Sequence, residues 1–400
     1  MIYGSFKDKE LSLLGFGTMR LPLLPGGGSG DIDQEAVNAM TDYALAHGVN
    51  YFDTAAPYHA SRSEGAIGMA LSRHPRDSYY LADKYPGHQF VSHYDPAATF
   101  EEQLRRCGVD YFDFYLMHNV SESSIPVYTD KNLGIVDYFI EQRRLGRIKH
   151  LGFSCHADVN TMEDFLDTYD GVFEFCQIQL NYLDWTLQNA KAKYEMLTKR
   201  GIPVWVMEPV RGGKLAKFDE DTENTLHSLR PGESCAAWGF RFLQGLPNVK
   251  VVLSGMSDMA QMEDNVKTFA ERKPLNAMEL AAALSVAENI KNSVPCTGCR
   301  YCCEGCPMGI NIPKLIAIYN DLRLQPHVNI SIRLGTIPED KLPSACIGCG
   351  QCKAACPQKI DIPELMQTMD KAFSTVPSWL DICREREEAD LREKAAQNNT

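Results

Sequence analysis

The chain has 400 residues, of which 44% are hydrophobic and 23% charged, and its formal net charge is −12 at pH 7. This length predicts two domains, and the acidic balance argues against a nucleic-acid-binding protein, which normally presents a basic face. The N-terminal segment carries charges where an export signal needs an apolar core, and no apolar run reaches the length of a membrane span. We therefore expect a cytoplasmic protein without a membrane span.

Short apolar runs alternate with amphipathic helical patterns from the N-terminus to about residue 272. The alternation predicts eight strand–helix pairs, which begin with SLLGFG and DQEAVNAMTDYALAHG and end with VKVVLSGM and MAQMEDNVKTFAE. Such alternation implies a parallel sheet, and eight units fit a closed TIM (β/α)8 barrel. An open doubly wound sheet is the alternative, weakened because no G-x-G-x-x-G turn follows the first strand. MIYGSF and LSLLGF predict a hairpin that plugs the bottom of the barrel.

Three consecutive predicted strands of this barrel end in ionisable residues, Asp53, Lys84 and His118, and Tyr58 follows Asp53 in the same loop. Each residue alone also fits a structural role, such as a helix cap, but the C-terminal strand ends of a barrel share one mouth. A lysine ammonium would lower the pKa of a neighbouring tyrosine, and a histidine would polarise a carbonyl. Together they predict proton transfer coupled to hydride transfer.

The C-terminal third of the chain is dominated by cysteine, since nine of the fourteen cysteines lie between Cys296 and Cys356. Clustering in a chain of this size favours metal binding over disulfides. The two runs are Cys296-x2-Cys299-x2-Cys302-x3-Cys306-Pro307 and Cys346-x2-Cys349-x2-Cys352-x3-Cys356-Pro357. Every member is displaced by fifty residues between the runs, which indicates an internal repeat of a cysteine loop and the helix after it.

This spacing is typical of bacterial ferredoxins, in which three thiolates bind one cubane and the other motif supplies the fourth. We therefore predict two 4Fe–4S clusters, the first on Cys296, Cys299, Cys302 and Cys356 and the second on Cys346, Cys349, Cys352 and Cys306. Zinc is the alternative, but its four ligands would leave surplus thiols. Cys303 lies out of register with the repeat and is interpreted as a packing residue.

These patterns divide the chain into four segments. We assign residues 1–275 to the barrel, 276–292 to a linker helix, 293–375 to a small, mainly helical ferredoxin-like domain, and 376–400 to a charged tail. The tail has no apolar stripe of useful width, so we expect a solvated helix or disorder there.

The barrel motifs GFGTMRLP, DTAAPYHASRSEGAIGMAL, LADK, YLMHN and GFSCH occur in this order and resemble the aldo-keto reductases over about the first 270 residues. The cysteine domain resembles the ferredoxin-like extension of some bacterial members. The resemblance implies an oxidoreductase for a carbonyl or alcohol substrate with a tetrad of Asp53, Tyr58, Lys84 and His118. In it, Tyr58 is the general acid toward a carbonyl or the base toward an alcohol.

The resemblance also implies a nicotinamide cofactor. Ser154 and Gln177 fall where the family holds the carboxamide, with Cys155 in place of the usual asparagine, and Asp264 and Asn265 fall at the adenine positions.

The phosphate end of this cofactor site departs from the family pattern. The family's cations for the 2′-phosphate fall on Gly255 and Gln261, which are uncharged, and a phosphate without a cation binds poorly. We therefore expect NAD over NADP, with a flavin as a further candidate. Arg211, with two following glycines, either offers charge and backbone amides to a pyrophosphate or forms a plain loop.

The two halves together predict an oxidoreductase whose electrons are relayed by the two clusters, with an external electron carrier as a candidate partner. A nicotinamide passes a hydride whereas clusters pass single electrons, so a converter such as a flavin is needed. The alternatives are a nucleotide-binding redox sensor and an electron-transfer module without turnover in the barrel.

Overall fold

The computed structural model describes residues 1–397 except positions 90, 292, 293, 295, 297, 299, 325 and 357. The chain divides into two compact units, Met1–Leu284 and Ser285–Thr400. The division falls inside the helix Ala277–Lys291, which lies in the segment that the sequence assigns to a linker.

The first unit is built on a closed barrel of parallel strands. Its strands in the described residues are β1 Tyr3–Phe6, β2 Lys9–Ser12, β3 Leu14–Gly17, β4 Tyr51–Asp53, β5 Tyr80–Tyr85, β6 Phe112–Val120, β7 Ile148–Cys155, β8 Cys176–Gln179, β9 Val204–Met207 and β10 Val249–Gly255. The barrel order is β10-β3-β4-β5-β6-β7-β8-β9, and β10 pairs in parallel with both β3 and β9. The TIM barrel is confirmed, and the open sheet is excluded because the two edge strands pair with each other.

Helices connect successive barrel strands and cover the outside of the barrel. They are α1 Gln34–Ala46, α2 Ser63–Leu71, α3 Pro96–Cys107, α4 Ile125–Thr129, α5 Ile135–Arg144, α6 Val159–Thr168, α7 Asp184–Leu187, α8 Ala190–Lys199, α9 Glu220–Leu229, α10 Cys235–Gln244, α11 Met259–Phe269 and α12 Ala277–Lys291. The start of α3 illustrates how the sequence sets their ends. The carboxylate of Asp95 accepts from the amide of Ala98, Pro96 occupies the first turn, and Gly108 ends the helix at φ 65°.

The bottom of the barrel is closed by the hairpin β1–β2, as the sequence predicts. The two strands pair antiparallel from Tyr3 with Ser12 to Phe6 with Lys9. The second hairpin strand is therefore KELS, and LGFG already belongs to the barrel. Phe6 is 4% exposed, and its ring lies edge-on to Trp205 at a centroid distance of 5.1 Å. The hairpin thus completes the apolar core at the end opposite the predicted mouth.

Phe6→Ala is expected to lower the free energy of unfolding by about 3–5 kcal/mol, because it opens a cavity among packed aromatic rings. Urea unfolding followed by circular dichroism measures the loss. Tyr3→Ala is the matched control on the same strand: Tyr3 is 44% exposed and donates one hydrogen bond, to the carbonyl of Gly48. A loss no larger for Phe6→Ala than for Tyr3→Ala would contradict the plug role.

The second unit is helical, and its backbone repeats at the offset of the cysteine runs. Its helices are α13 Tyr301–Glu304, α14 Ile312–Leu324, α15 Val328–Gly335, α16 Gln351–Ala355, α17 Ile362–Phe373 and α18 Trp379–Gln397. Thus α13 and α14 correspond to α16 and α17 fifty residues later. The loop glycines Gly298 and Gly348 also match, at φ 71° and 68°. The internal repeat in the sequence is therefore a structural repeat.

One apolar core holds the two repeats of the second unit together. It includes Ile316 and Ile318 from α14 and Met366 and Met369 from α17, which are at most 1% exposed. The predicted tail forms the helix α18, which begins with the buried Trp379. Among the described residues, no helix combines the length and apolarity needed to cross a membrane.

Candidate functional site

Closure of the barrel brings the predicted tetrad together at one mouth. Asp53 is the last residue of β4, and the neighbouring strands β5 and β6 carry Lys84 and His118. Lys84 Nζ lies 2.5 Å from Asp53 Oδ1, 2.6 Å from the carbonyl of Thr54 and 3.4 Å from Tyr58 Oη. The rings of Tyr58 and His118 meet edge-on with centroids 5.9 Å apart. A phenol, an ammonium and an imidazole therefore converge.

Burial controls the protonation of this group. Lys84 is fully buried and Asp53 is 2% exposed. Burial opposes charge on Lys84, but the carboxylate of Asp53 and the phenol of Tyr58 outweigh it and raise the pKa of Lys84. Burial also raises the pKa of Tyr58, and the Lys84 ammonium opposes this rise without reversing it. The Lys84 ammonium thus lowers the pKa of Tyr58 as the sequence predicts, but the net shift is upward because desolvation is the larger effect.

A buried polar layer fixes the strand that carries Lys84. The Gln103 side chain donates to the carbonyl of Lys84 at 3.0 Å and to Glu64 at 3.1 Å. Asp83 accepts from the amide of Lys84 at 2.8 Å. Burial raises the pKa of Asp83 well above its ordinary value, and the neighbouring Glu64 raises it further. Burial and the neighbouring Glu64 therefore both disfavour the charged form of Asp83.

The residues predicted to hold a nicotinamide carboxamide lie side by side on β7 and β8. Ser154 pairs in register with Gln177, and both are at most 2% exposed. Ser154 Oγ accepts from the backbone amide of Asn119 at 2.7 Å, which leaves its proton available to a ligand. Gln177 Oε1 and Asn119 Oδ1 are buried without a hydrogen-bond partner among the described residues. Two acceptors beside one hydroxyl donor match the NH2 and C=O groups of a carboxamide.

At the phosphate end, a cation from the turn after β3 lies beside the glycine that replaces the family's cation. A Cβ on Gly255 would lie 3.1–3.2 Å from the side chain of Arg20, so Arg20 fills this space. The Arg20 guanidinium is 3.5 Å from the carboxylate of Glu208, and both side chains are partly exposed. A positive group is therefore present where the sequence alone shows none.

The other predicted nucleotide contacts have partners within the barrel. Asp264 accepts from Ser234 at 2.6 Å, and Asn265 donates to Ser254 at 3.0 Å. Arg211 is 2% exposed and forms an ion pair with Asp184. This pairing neutralises the guanidinium, so a role of Arg211 at a pyrophosphate remains a prediction.

In the second unit, four cysteines from both motifs line one small cavity. Cys306 of the first motif lies there with Cys346, Cys349 and Cys352 of the second, between apolar walls that include Met366. This is the set that the sequence assigns to the second cluster. Soft thiolates around an apolar cavity fit an iron–sulfur cluster.

The first cluster's predicted set is described in part. Cys302 is 7% exposed, and Cys296 and Cys356 pack against the same core, whereas Cys299 lies outside the described residues. Among the described residues, no three His, Cys, Asp or Glu side chains meet at the spacing of a single metal ion.

Three residues at the barrel mouth escape the sequence analysis. Asn119 directly follows the histidine of YLMHN, Arg20 stands in GTMRLP, and His88 follows LADKYP. Arg20 and Asn119 lie inside motifs that the sequence does single out, and His88 lies four residues after LADK. The motifs therefore point to this region, but only the fold shows which of their residues lie at the mouth.

The chain belongs to the aldo/keto reductase family, whose profile it matches over residues 13–288, and residues 295–360 match a 4Fe-4S dicluster domain. It is 24% identical over 212 residues to Probable aldo-keto reductase 1 of Glycine max. It is also 27% identical over 228 residues to the NADH-specific methylglyoxal reductase of Escherichia coli (strain K12). These matches cover 51% and 52% of this chain but 57% and 66% of those proteins, less than two thirds of their length.

Among solved structures, the chain resembles the holo form of aldo-keto reductase AKR11C1 from Bacillus halodurans. The TM-score is 0.56 at 24% identity, and the match covers 70% of this chain and 93% of that one. At this identity the likeness concerns the fold.

Proposed function

We propose that the protein is a nicotinamide-dependent oxidoreductase that interconverts a small carbonyl compound and its alcohol at Asp53, Tyr58, Lys84 and His118. The main support for the proposal is the position of Lys84 Nζ, which lies 2.5 Å from Asp53 Oδ1 and 3.4 Å from the phenol oxygen of Tyr58. A buried ammonium held against a phenol is suited to proton transfer in either direction.

Each residue of the tetrad has one task in this proposal. Tyr58 donates its phenolic proton to the carbonyl oxygen during reduction and takes it back during oxidation. Lys84 stabilises the phenolate that remains, and Asp53 keeps Lys84 charged inside the barrel. His118 orients the carbonyl oxygen toward Tyr58. A bound reduced nicotinamide supplies the hydride.

We assign the carboxamide of this cofactor to Ser154, Gln177 and Asn119. This assignment is supported by the side-chain oxygens of Gln177 and Asn119, which are buried without a hydrogen-bond partner among the described residues. Burying such oxygens is costly unless a ligand donates a hydrogen bond to them. Asn119 thereby takes the place of the asparagine that Cys155 replaces. Asp264 and Asn265 are retained as proposed residues of the adenine end.

NAD is the proposed cofactor in preference to NADP, since the Arg20 guanidinium is partly neutralised by Glu208. Glu208→Gln removes this negative charge, so we expect the affinity for NADPH to rise by about 3- to 10-fold and that for NADH to change less. Titration by nucleotide fluorescence measures both. Glu141→Gln, which removes an exposed carboxylate on the helix α5, is the control. Tighter NADPH than NADH binding in the unchanged protein would contradict the preference.

The proposal extends to the clusters, which we place on the two sets of four cysteines given above. Each cluster passes one electron, so two clusters accept or supply the pair that a hydride carries. A flavin is the candidate converter, and an external electron carrier is the candidate partner.

The function is tested by mixing anaerobically purified protein with NADH or NADPH and a panel of small aldehydes and ketones. Oxidation of the nicotinamide that depends on the carbonyl compound is expected. The E. coli relative named for NADH-specific methylglyoxal reduction supports beginning with small aldehydes and NADH. No turnover with any carbonyl compound in either direction would refute the proposal.

A further inference from the structure

The chain approaches the first cysteine of each motif through a different backbone structure. Before the second motif it forms a 3-10 turn over Pro343–Ala345, and the amide of Cys346 donates to the carbonyl of Pro343 at 3.0 Å. Before the first motif, the amide of Cys296 donates to the carbonyl of Val294, only two residues earlier, at 2.8 Å. The position of Cys296 therefore depends on what holds Val294.

A side chain from α14 holds Val294 at both of its backbone polar groups. The amide of Val294 donates to Asn320 Oδ1 at 2.8 Å, and Asn320 Nδ2 donates to the carbonyl of Val294 at 3.0 Å. Asn320 is 8% exposed and lies 26 residues farther along the chain. Its carboxamide thus pairs with Val294 as a neighbouring β-strand would. This pair fixes the place and the direction of the chain two residues ahead of Cys296.

The equivalent residue of the second copy cannot form the same pair. Asp370 stands fifty residues after Asn320, at the matching position of α17, and its side chain is exposed. A carboxylate also has no donor for a backbone carbonyl. The residue that corresponds to Val294 is Ser344, which lies within the 3-10 turn. The two loops are therefore held by different means, the second by local backbone bonds and the first by a side chain from the helix after it.

We propose that Asn320 is a positioning residue of the first cluster, which holds the thiolate of Cys296 in place through Val294. This inference rests on the proposed clusters and adds that the chain holds the two unequally. A group that orients a metal ligand without touching the metal typically contributes about 10- to 100-fold to metal affinity. Loss of the Asn320 carboxamide frees the chain ahead of Cys296, so it is expected to weaken iron binding at that thiolate.

The test follows the release of iron to a chelator from anaerobically purified protein. Asn320→Ala is expected to release about half of the bound iron about 10- to 100-fold faster than the unchanged protein, and the other half at the unchanged rate. Asp370→Ala, the same change at the equivalent position of the second copy, is the matched control and is expected to leave the release of all the iron unchanged. Asn320→Asp keeps the acceptor for the Val294 amide but not the donor to its carbonyl, so it is expected to fall between.

Two cysteine backgrounds assign the effect to one cluster. In Cys306→Ala, which is expected to keep only the first cluster, adding Asn320→Ala accelerates the release of all the remaining iron. In Cys296→Ala, which is expected to keep only the second cluster, adding Asn320→Ala changes nothing. A general loss of stability would accelerate release in both backgrounds, so this contrast separates positioning from a purely structural role.

Equal release rates in Asn320→Ala and Asp370→Ala, or equal acceleration in the two cysteine backgrounds, would overturn the inference. If circular dichroism shows that Asn320→Ala does not fold, Asn320→Asp takes its place in both backgrounds with the same criteria. An unchanged protein that binds no iron would refute the cluster proposal and this inference with it. Carbonyl turnover by the barrel is measured separately, so the failure of one proposal is distinguishable from that of the other.

Discussion

Tyr58→Phe is expected to lower kcat/KM for carbonyl reduction by about 10²–10⁴-fold, the usual contribution of a general acid. The change removes only the hydroxyl that lies 3.4 Å from Lys84 Nζ and leaves the ring that packs against His118. Steady-state kinetics with NADH and an aldehyde measures the effect, and nucleotide binding is expected to stay unchanged. This variant therefore distinguishes a role of the phenol in the reaction from a role in the fold.

Two controls accompany this variant. Tyr80→Phe removes a hydroxyl at the first residue of β5, at the opposite end of the strand from the mouth, and is expected to keep full activity. Circular dichroism checks that both variants fold. Full activity of Tyr58→Phe would favour the alternative of a nucleotide-binding redox sensor, in which the barrel binds without turnover.

The pH dependence follows from the direction of the Tyr58 shift. Burial raises its pKa above the ordinary value of about 10. Reduction needs the protonated phenol, so its rate is expected to hold through neutral pH and to fall only in the strongly alkaline range. Oxidation of an alcohol needs the phenolate and is expected to rise with pH over the same range. A reduction rate that falls between pH 7 and 8 would contradict the raised pKa.

Cys306→Ala is expected to remove one of the two clusters and to lower bound iron from about eight to about four atoms per chain. The reason is that Cys306 borders the same cavity as Cys346, Cys349 and Cys352. Cys303→Ala is the matched control, since it removes a nearby thiol that the repeat does not use, and it is expected to keep all the iron. Iron analysis and electron paramagnetic resonance of anaerobically purified protein measure both.

A double variant tests the exchange of the fourth ligand between motifs. If Cys306 and Cys346 serve one cluster, the Cys306→Ala/Cys346→Ala variant loses no more iron than either single variant. If each motif were self-contained, the double variant would lose both clusters. Zinc in place of iron in the unchanged protein would refute the cluster proposal altogether.

Local patterns in the sequence determine much of this protein. The alternation of apolar runs with amphipathic helices predicts the barrel, because strand and helix periods are properties of short segments. The fifty-residue repeat predicts the duplicated helices, because the same cysteine spacing, loop glycine and apolar positions recur in both copies. The tetrad can also be predicted from the sequence, because the C-terminal ends of consecutive parallel strands lie at the same mouth of a barrel.

The tertiary structure decided what depends on residues far apart in the chain. The Arg20 side chain lies beside Gly255 because barrel closure pairs β3 with β10. The Arg211 guanidinium forms an ion pair with the Asp184 carboxylate inside the barrel. The pKa of Tyr58 rises because the effect of burial exceeds that of the Lys84 ammonium. The spacing of residues in the sequence does not predict these features, because they depend on desolvation and on contacts that form only when the barrel closes.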